Sequence, residues 1–308
     1  MGEPVARKGD NTHCPSTRWI IIPHLGGPLD PASPVCIEVN SLPVIRLADY
    51  AHCHFGAPLD VVFEGSKTVT VCGLPVARRH DGMAHGGEII EGSPNVEVGG
   101  PKFSLPSKMK VKGPSDFQNK TIRDLYLLST TPSGQDMLDQ IDKSGKNLTI
   151  QPCDDPHNSF ASASNYPDSL NGKGSDATVS YSPEVALYGY DAAGNQITMP
   201  PQVVLGHELS HALHDMTGTA QTESNADPDP NAPKSQPNIE KEEAQAIGTG
   251  SWDGTSPTEN SIRSDLGLPR RDNHYGTDGL KRDAKGNITD RTNELLAPTE
   301  NLRPGDCK

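Results

Sequence analysis

One eight-residue pattern recurs three times near the start of this chain, and it restricts the possible folds more than any other feature. Glu3-Pro4-Val5-Ala6-Arg7-Lys8-Gly9-Asp10 returns as Leu42-Pro43-Val44-Ile45-Arg46-Leu47-Ala48-Asp49 and as Leu74-Pro75-Val76-Ala77-Arg78-Arg79-His80-Asp81. Pro-Val-x-Arg-x-x-Asp kept three times implies one supersecondary unit repeated about a pseudo-threefold axis. The last two copies follow short alternating segments, 35–39 and 68–72, and a third such segment, 92–98, closes the set. Alternation with period two, bounded by Gly, Pro and Asn, reads as strands in tight hairpins. A helix-free β structure is expected.

A different period governs the stretch around residue 200. Pro200 and Pro201 can begin a helix but not sit inside one, and the next fifteen residues contain no proline and one glycine. Within them lies His207-Glu208-Leu209-Ser210-His211. Histidines four apart on a helix share a face, with Cβ atoms about 6 Å apart, and can hold one Zn²⁺. Glu208 is turned by roughly 100° and can take a proton from a water on that metal. Val204, Leu205, Leu209, Ala212, Leu213 and Met216 give the helix the apolar side that a buried active-site helix needs. This is the pattern of a zinc metallopeptidase with His207 and His211 as ligands and Glu208 as general base.

Composition sets the frame for both readings. A chain of 308 residues carries one or two domains, and with 33% hydrophobic residues, 30 Gly and 28 Pro, two small loop-rich domains fit better than one large core. A net charge of −13 argues against nucleic acid and against an anionic membrane surface. No basic region followed by an apolar run opens the chain, and no eighteen apolar residues occur together. We therefore expect synthesis as a soluble cytoplasmic protein, with any export by a route that cleaves no signal. Six cysteines are too few and too dispersed for a disulfide scaffold, which leaves most of them as free thiols or ligands; whether Cys153 and Cys307 pair is open.

The three repeats, together with Ile22-Pro23-His24-Leu25-Gly26-Gly27-Pro28 and Ala84-His85-Gly86-Gly87, resemble the PAAR-repeat family over residues 1–100. That resemblance implies a conical β-prism at the tip of a type VI secretion spike, its base docked on a trimeric VgrG protein. It also implies an apical structural zinc held by three histidines and a cysteine, carried over by position to His13, His24, Cys53 and His85. Cys14, His52 and His54 are neighbouring alternates. A domain too small for a good core is one that a metal stabilises.

Residues 101–120, with scattered prolines and clustered lysines, read as a linker, the alternative being a strand packed on the β unit. Beyond it, 121–128 and 133–141 have helical spacing, 147–150 and 178–181 read as short strands, and 219–238 reads as a flexible surface loop. A few helices around a small sheet make an α+β zincin-like domain over 121–276, followed by a polar tail, 277–308.

A catalytic zinc needs a third protein ligand. His214, one turn beyond His211, stands about 5 Å too far along the axis. The metzincin pattern fails because Leu213-His214 and Thr217 stand where Gly and His are required. A later helix, 239–248, supplies glutamates. There Glu243 shares a mostly apolar stripe with Ile239, Ala246 and Ile247, whereas Glu242 shares a polar one with Asn238, Gln245 and Thr249. An inward carboxylate needs a partner charge, so Glu243 is expected as the ligand and Glu242 as a group that orients a histidine.

His207 to His214, Gly218, Glu242-Glu243-x-x-x-Ile247-Gly248, Thr258 to Arg263 and Tyr275 resemble the NleD-like zinc-metallopeptidase effectors, and more distantly the clostridial neurotoxin light chains. That resemblance implies that the second glutamate of the pair is the ligand. It further implies an arginine and a tyrosine stabilising the tetrahedral intermediate, for which Arg263 and Tyr275 are the candidates. Together the two resemblances imply a type VI effector with two Zn²⁺ ions, a protein substrate in a recipient cell and, if the prey is bacterial, a cognate immunity protein. The alternative is a spike tip whose second domain is an inactive adaptor.

Overall fold

The computed structural model describes residues 2–18, 22–23, 25–53, 58–154, 158–183, 187–224, 226–274, 281–282 and 288–290. Two compact units emerge. The first gathers residues up to Leu105 with 113–123, and the second gathers 106–112 with residues from Asp124 onward.

In the first unit each repeat opens on a two-residue strand and ends in an Arg-x-x-Asp turn. The arginine main-chain N–H donates to the aspartate at 2.8 Å in all three copies, and the guanidinium closes an ion pair back onto the same carboxylate. The residue before each aspartate is left-handed: Gly9, Ala48 and His80 have φ of 89°, 68° and 69°. The copies then pair with one another. Val5 bridges to Arg78, Arg7 to Val44 and Arg46 to Val76. Ala6, Ile45 and Ala77 close a ring of main-chain hydrogen bonds, each donating to the next at 2.9 Å. Val5, Val44 and Val76 form one apolar cluster, and Ala6, Ile45 and Ala77 a second with Leu29, Ala51, Val62, Met83 and Ile89. The predicted strands are shorter than the alternation suggested, namely Glu38–Val39, Thr70–Val71 and Glu97–Val98, because the unit closes through isolated bridges as much as through ladders.

Within 101–120, expected to be a linker, the described chain forms Lys102–Phe103, which pairs with Gly65–Ser66, and Met109–Val111, which pairs with Leu148–Pro152. It then enters helix α1 (Ser115–Ser129), whose start Pro114 precedes.

Helix α2 (Pro132–Ser144) is capped by the Thr131 side chain at its start and by left-handed Gly145 at its end. A four-stranded sheet follows in the order 109–111, 148–152, 177–181, 160–163; the first three strands run parallel, and Phe160–Ala163 lies antiparallel at the edge. Short α3 (Tyr166–Ser169) lies beyond that edge strand in sequence, and a hairpin joins Leu187–Tyr190 to Gln196–Met199. Helix α4 (Pro201–Thr217) is buried along most of its length, and Gly218 at φ 76° ends it. Helices α5 (Lys241–Ile247) and α6 (Glu259–Asp265) pack on α4. Of the predicted tail, only Lys281–Arg282 and Ile288–Asp290 are described, as an antiparallel pair. No described helix is long and apolar enough to cross a membrane.

Candidate active site

Helix α4 carries the histidines because it can be buried on nearly every side. Its two opening prolines need no hydrogen-bond acceptor for their nitrogens, and its apolar residues contact the sheet on one side and α2 and α6 on others. Gly206 sits where α6 comes nearest, since a Cβ there would meet Ile262 Cδ1 at 2.7 Å. That close approach brings Glu259, one turn before Ile262, to 3.0 Å from His207 Nδ1.

The outer nitrogens of the two histidines face each other. His207 Nε2 and His211 Nε2 are 3.2 Å apart, and Glu243 Oε2 lies 3.4 Å from the first and 3.6 Å from the second. Ligand atoms around one tetrahedral zinc with bonds near 2.0–2.1 Å stand about 3.3 Å from each other, so the triangle fits that ion. Glu243 Oε2 is moreover buried without a hydrogen-bond partner. A buried neutral polar group left so costs on the order of 2–7 kcal/mol by transfer data, and an ionised carboxylate more, unless a cation joins it. The donor set, two imidazoles and a carboxylate, suits zinc.

The inner nitrogens of His211 and His214 are satisfied differently. Glu242 Oε1 accepts from His211 Nδ1 at 2.9 Å and from His214 Nδ1 at 2.8 Å, while Oε2 accepts from the Gln221 main chain at 2.6 Å. Burial opposes charge on Glu242, but these bonds outweigh it and hold its pKa at about 2. His214 is thus neither solvated nor in the triangle; it shares Glu242 with His211. Both glutamates reach α4, and Glu242, at 3% exposure, is among the most deeply buried groups of the site. Of the polar stripe, Glu242 and Thr249 are therefore turned inward, while Asn238 is exposed. Both glutamates occupy the first turn of a seven-residue helix, too short for one face to be separated from the other by a core.

A cleft of about 390 Å³ opens over the triangle. Glu208 lines it, and burial raises its carboxyl above the ordinary range, as suits a base that must also return a proton. The strand Phe160–Ala163 runs along its side. Arg271 and His274 also face it. Arg271 is fully buried; Nη1 donates to Glu259 Oε2 at 2.7 Å and Nε to the Asn273 carbonyl at 2.8 Å, while Nη2 has no hydrogen-bond partner. Arg263, expected in the cleft, is instead fully buried behind it. Its Nε donates to Glu259 Oε1 at 2.7 Å and its Nη1 to the carbonyls of Thr198 and Pro269. The i,i+4 step from Glu259 turns Arg263 onto the glutamate and away from the opening. Tyr275 lies outside the described residues.

A second cluster belongs to the first unit. One ligand atom from each of Cys14, Cys53, Asp60 and His85 can be chosen so that all lie within 4.8 Å of one another. Cys14 Sγ is 3.8 Å and Cys53 Sγ 4.0 Å from His85 Nδ1, and Asp60 Oδ2 is 3.6 Å from it. Burial, with Cys14 and Asp60 beside it, pushes the Cys53 thiol up to about 12, so a bound cation is what would make it a thiolate. The residues suit a zinc ion. His13 does not join them: it is exposed, because in the two-residue strand Thr12–His13 the side chains alternate, which sends Thr12 inward, His13 outward and Cys14 inward again. His52 is exposed beside Asp30, and His24 and His54 lie outside the described residues.

The family model Peptidase M91, described as an effector protein, matches residues 106–275, more than half of the chain. The chain belongs to the M91 peptidase family. A PAAR-motif model matches residues 21–91. Among solved structures, the catalytic domain of Clostridium botulinum neurotoxin serotype F is similar at 18% identity and a TM-score of 0.34, covering 59% of this chain and 60% of that one. The botulinum neurotoxin serotype HA light chain is similar at 19% identity and 0.36, covering 56% and 57%. The Clostridium botulinum serotype F light chain follows at 20% and 0.29, covering 34% and 36%. The chain thus spans between about a third and three-fifths of these neurotoxin chains. No curated protein matches it.

The first unit is accordingly a β-rich PAAR region, and the second an α+β M91 peptidase domain. In the M91 domain, Arg271, His274 and Glu259 escaped the sequence reading. Within 258–263 the sequence reading singles out Arg263 and not Glu259, and Arg271 sits in a Pro-Arg-Arg-Asp-Asn loop without periodicity. Only the packing of α6 under Gly206 reveals them.

Proposed function

We propose that this chain is a type VI secretion effector in which the PAAR region rides on a VgrG spike and the M91 domain hydrolyses peptide bonds of a protein in the recipient cell. The observation that carries the peptidase reading is the meeting of His207 Nε2, His211 Nε2 and the unbonded Glu243 Oε2 beneath a cleft that Glu208 lines.

His207, His211 and Glu243 would hold the zinc, which when bound polarises the scissile carbonyl and acidifies a water. Glu208 then takes the proton of the attacking water and gives it to the departing amine. Glu242 fixes the ring of His211 through Nδ1, and Glu259 stands against Nδ1 of His207, so each ligand ring has a carboxylate behind it. Arg271 lines the cleft and its Nη2 has no hydrogen-bond partner, so it would offer a donor to negative charge developing on the substrate carbonyl oxygen. Cys14, Cys53 and His85, with Asp60, would hold a structural zinc in the PAAR region. A cognate immunity protein is expected where the prey is bacterial.

The test is Glu208→Gln in the full chain. It should keep zinc at wild-type stoichiometry and lose proteolysis of recipient-cell protein by about 10² or more, the scale of general-base catalysis. Loss of zinc in that variant, or unchanged cleavage, would overturn the assignment.

A further inference from the structure

We infer that His274 is a fourth protein ligand of the M91-domain metal in the resting enzyme, so that the site is stored closed and must release His274 to work. This rests on the peptidase reading above and adds a state to it.

His274 Nε2 lies 3.1 Å from Glu243 Oε2, an edge as short as those of the His207–His211–Glu243 triangle. Yet that oxygen has no hydrogen-bond partner, so the His274 ring does not aim an N–H at it. Two potential ligand atoms held at such a distance, in a geometry that is not a hydrogen bond's, are placed as co-ligands of one cation, the relation Glu243 already has with His207 and His211. The ring also stacks on His207, with planes 17° apart and centroids 5.9 Å apart, and one nitrogen of each ring lies with a Glu243 oxygen in a single ligand-sized cluster.

The four residues differ in how they are mounted. His207 and His211 are fixed on α4 and Glu243 on α5, whereas His274 comes from a loop that follows α6. Its main-chain N–H donates to Gln236 Oε1 at 2.6 Å, and its side chain is 35% exposed at the cleft. Such a ligand can withdraw without disturbing a helix. Zinc with four protein ligands is a structural site, and catalysis needs an open position. Withdrawal of His274 opens that position.

Zinc affinity of the full chain, measured by competition with a chromophoric chelator, tests this. Glu243→Ala serves to identify the M91-domain site. His274→Ala and His274→Asn should both weaken zinc at that site roughly tenfold or more, His274→Cys should restore it, and kcat/KM at saturating zinc should rise in the alanine variant, in which nothing has to be released. Wild-type affinity in His274→Ala or in His274→Asn overturns the inference and leaves the peptidase reading intact, the second result meaning that the ring merely hydrogen-bonds Glu243. A lowered kcat with unchanged affinity overturns it as well, by making His274 a catalytic donor. If wild type and Glu243→Ala bind the same amount of zinc, both readings fall. Circular dichroism of each variant separates lost affinity from lost folding.

Discussion

Glu242 and Glu243 are neighbours in sequence and opposites in state. Every oxygen of Glu242 is satisfied by histidine or main-chain N–H, whereas Glu243 keeps an unbonded oxygen. Glu243→Ala should therefore weaken zinc binding by roughly a hundredfold or more and abolish cleavage, because it removes a ligand outright. Glu242→Ala should keep the metal at about tenfold to a hundredfold lower affinity, since His211 loses only the group that orients it. Equilibrium dialysis against zinc distinguishes the two, and the reverse order would show that the ligand is misassigned. Asp215, on the cleft wall, has a different imbalance. Burial and the nearby Glu242 raise its pKa from 3.8 to about 6. The folded protein thus holds that proton more tightly than the unfolded chain, and stability is gained as pH falls from 6 toward 3.8, while above pH 6 the charged carboxylate is a cost. Asp215→Asn should stabilise the protein by about 1–2 kcal/mol at pH 8, discounted for water reaching the cleft, and by almost nothing at pH 4. Urea unfolding at the two pH values reads the difference, and equal effects at both would remove the explanation.

Helix α4 shows how far sequence pattern reaches at the level of one element. Its start, its end, its apolar side and the facing of His207 and His211 are all legible, because prolines, a glycine and a 3.6-residue period each act locally. Gly218 is the end stop: at φ 76° it is left-handed, and a Cβ there would meet the Gly172 backbone at 2.6 Å. Gly218→Ala should cost about 2–4 kcal/mol from strain and clash together, seen as a lower unfolding midpoint; a loss under 0.5 would mean that the segment around Gly172 yields freely. What pattern does not reach is the fit between elements. That Cys14 and not His13 meets Cys53 and His85 depends on which side of a two-residue strand faces inward, and one step of register decides it. That Arg271 and not Arg263 faces the cleft depends on both arginines competing for the two oxygens of Glu259. Neither competition leaves a periodic trace.

For the molecule as a whole, the ligand sets of the two metal sites fall in separate units. Elemental analysis of the intact chain should find about two zinc ions; Cys53→Ser and Glu243→Ala should each remove about one, and the double variant both, because the two ligand sets share no residue and fall in separate units. Loss of both ions from either single variant would show that the units depend on each other for folding. The spacing of the M91-domain ligands has a consequence for chain freedom. His211 ends its contribution on α4, Glu243 begins on α5, and roughly 30 residues of mostly irregular chain run between them. An ion bound to both is a reversible cross-link on that segment. Its removal returns the closure entropy of a long loop, on the order of 3–4 kcal/mol by the relation that governs disulfides of similar span. Chelated protein should then be nicked between 219 and 238 by an added protease well before the rest of the chain, and zinc, by holding that segment shut, would guard the M91 domain against digestion.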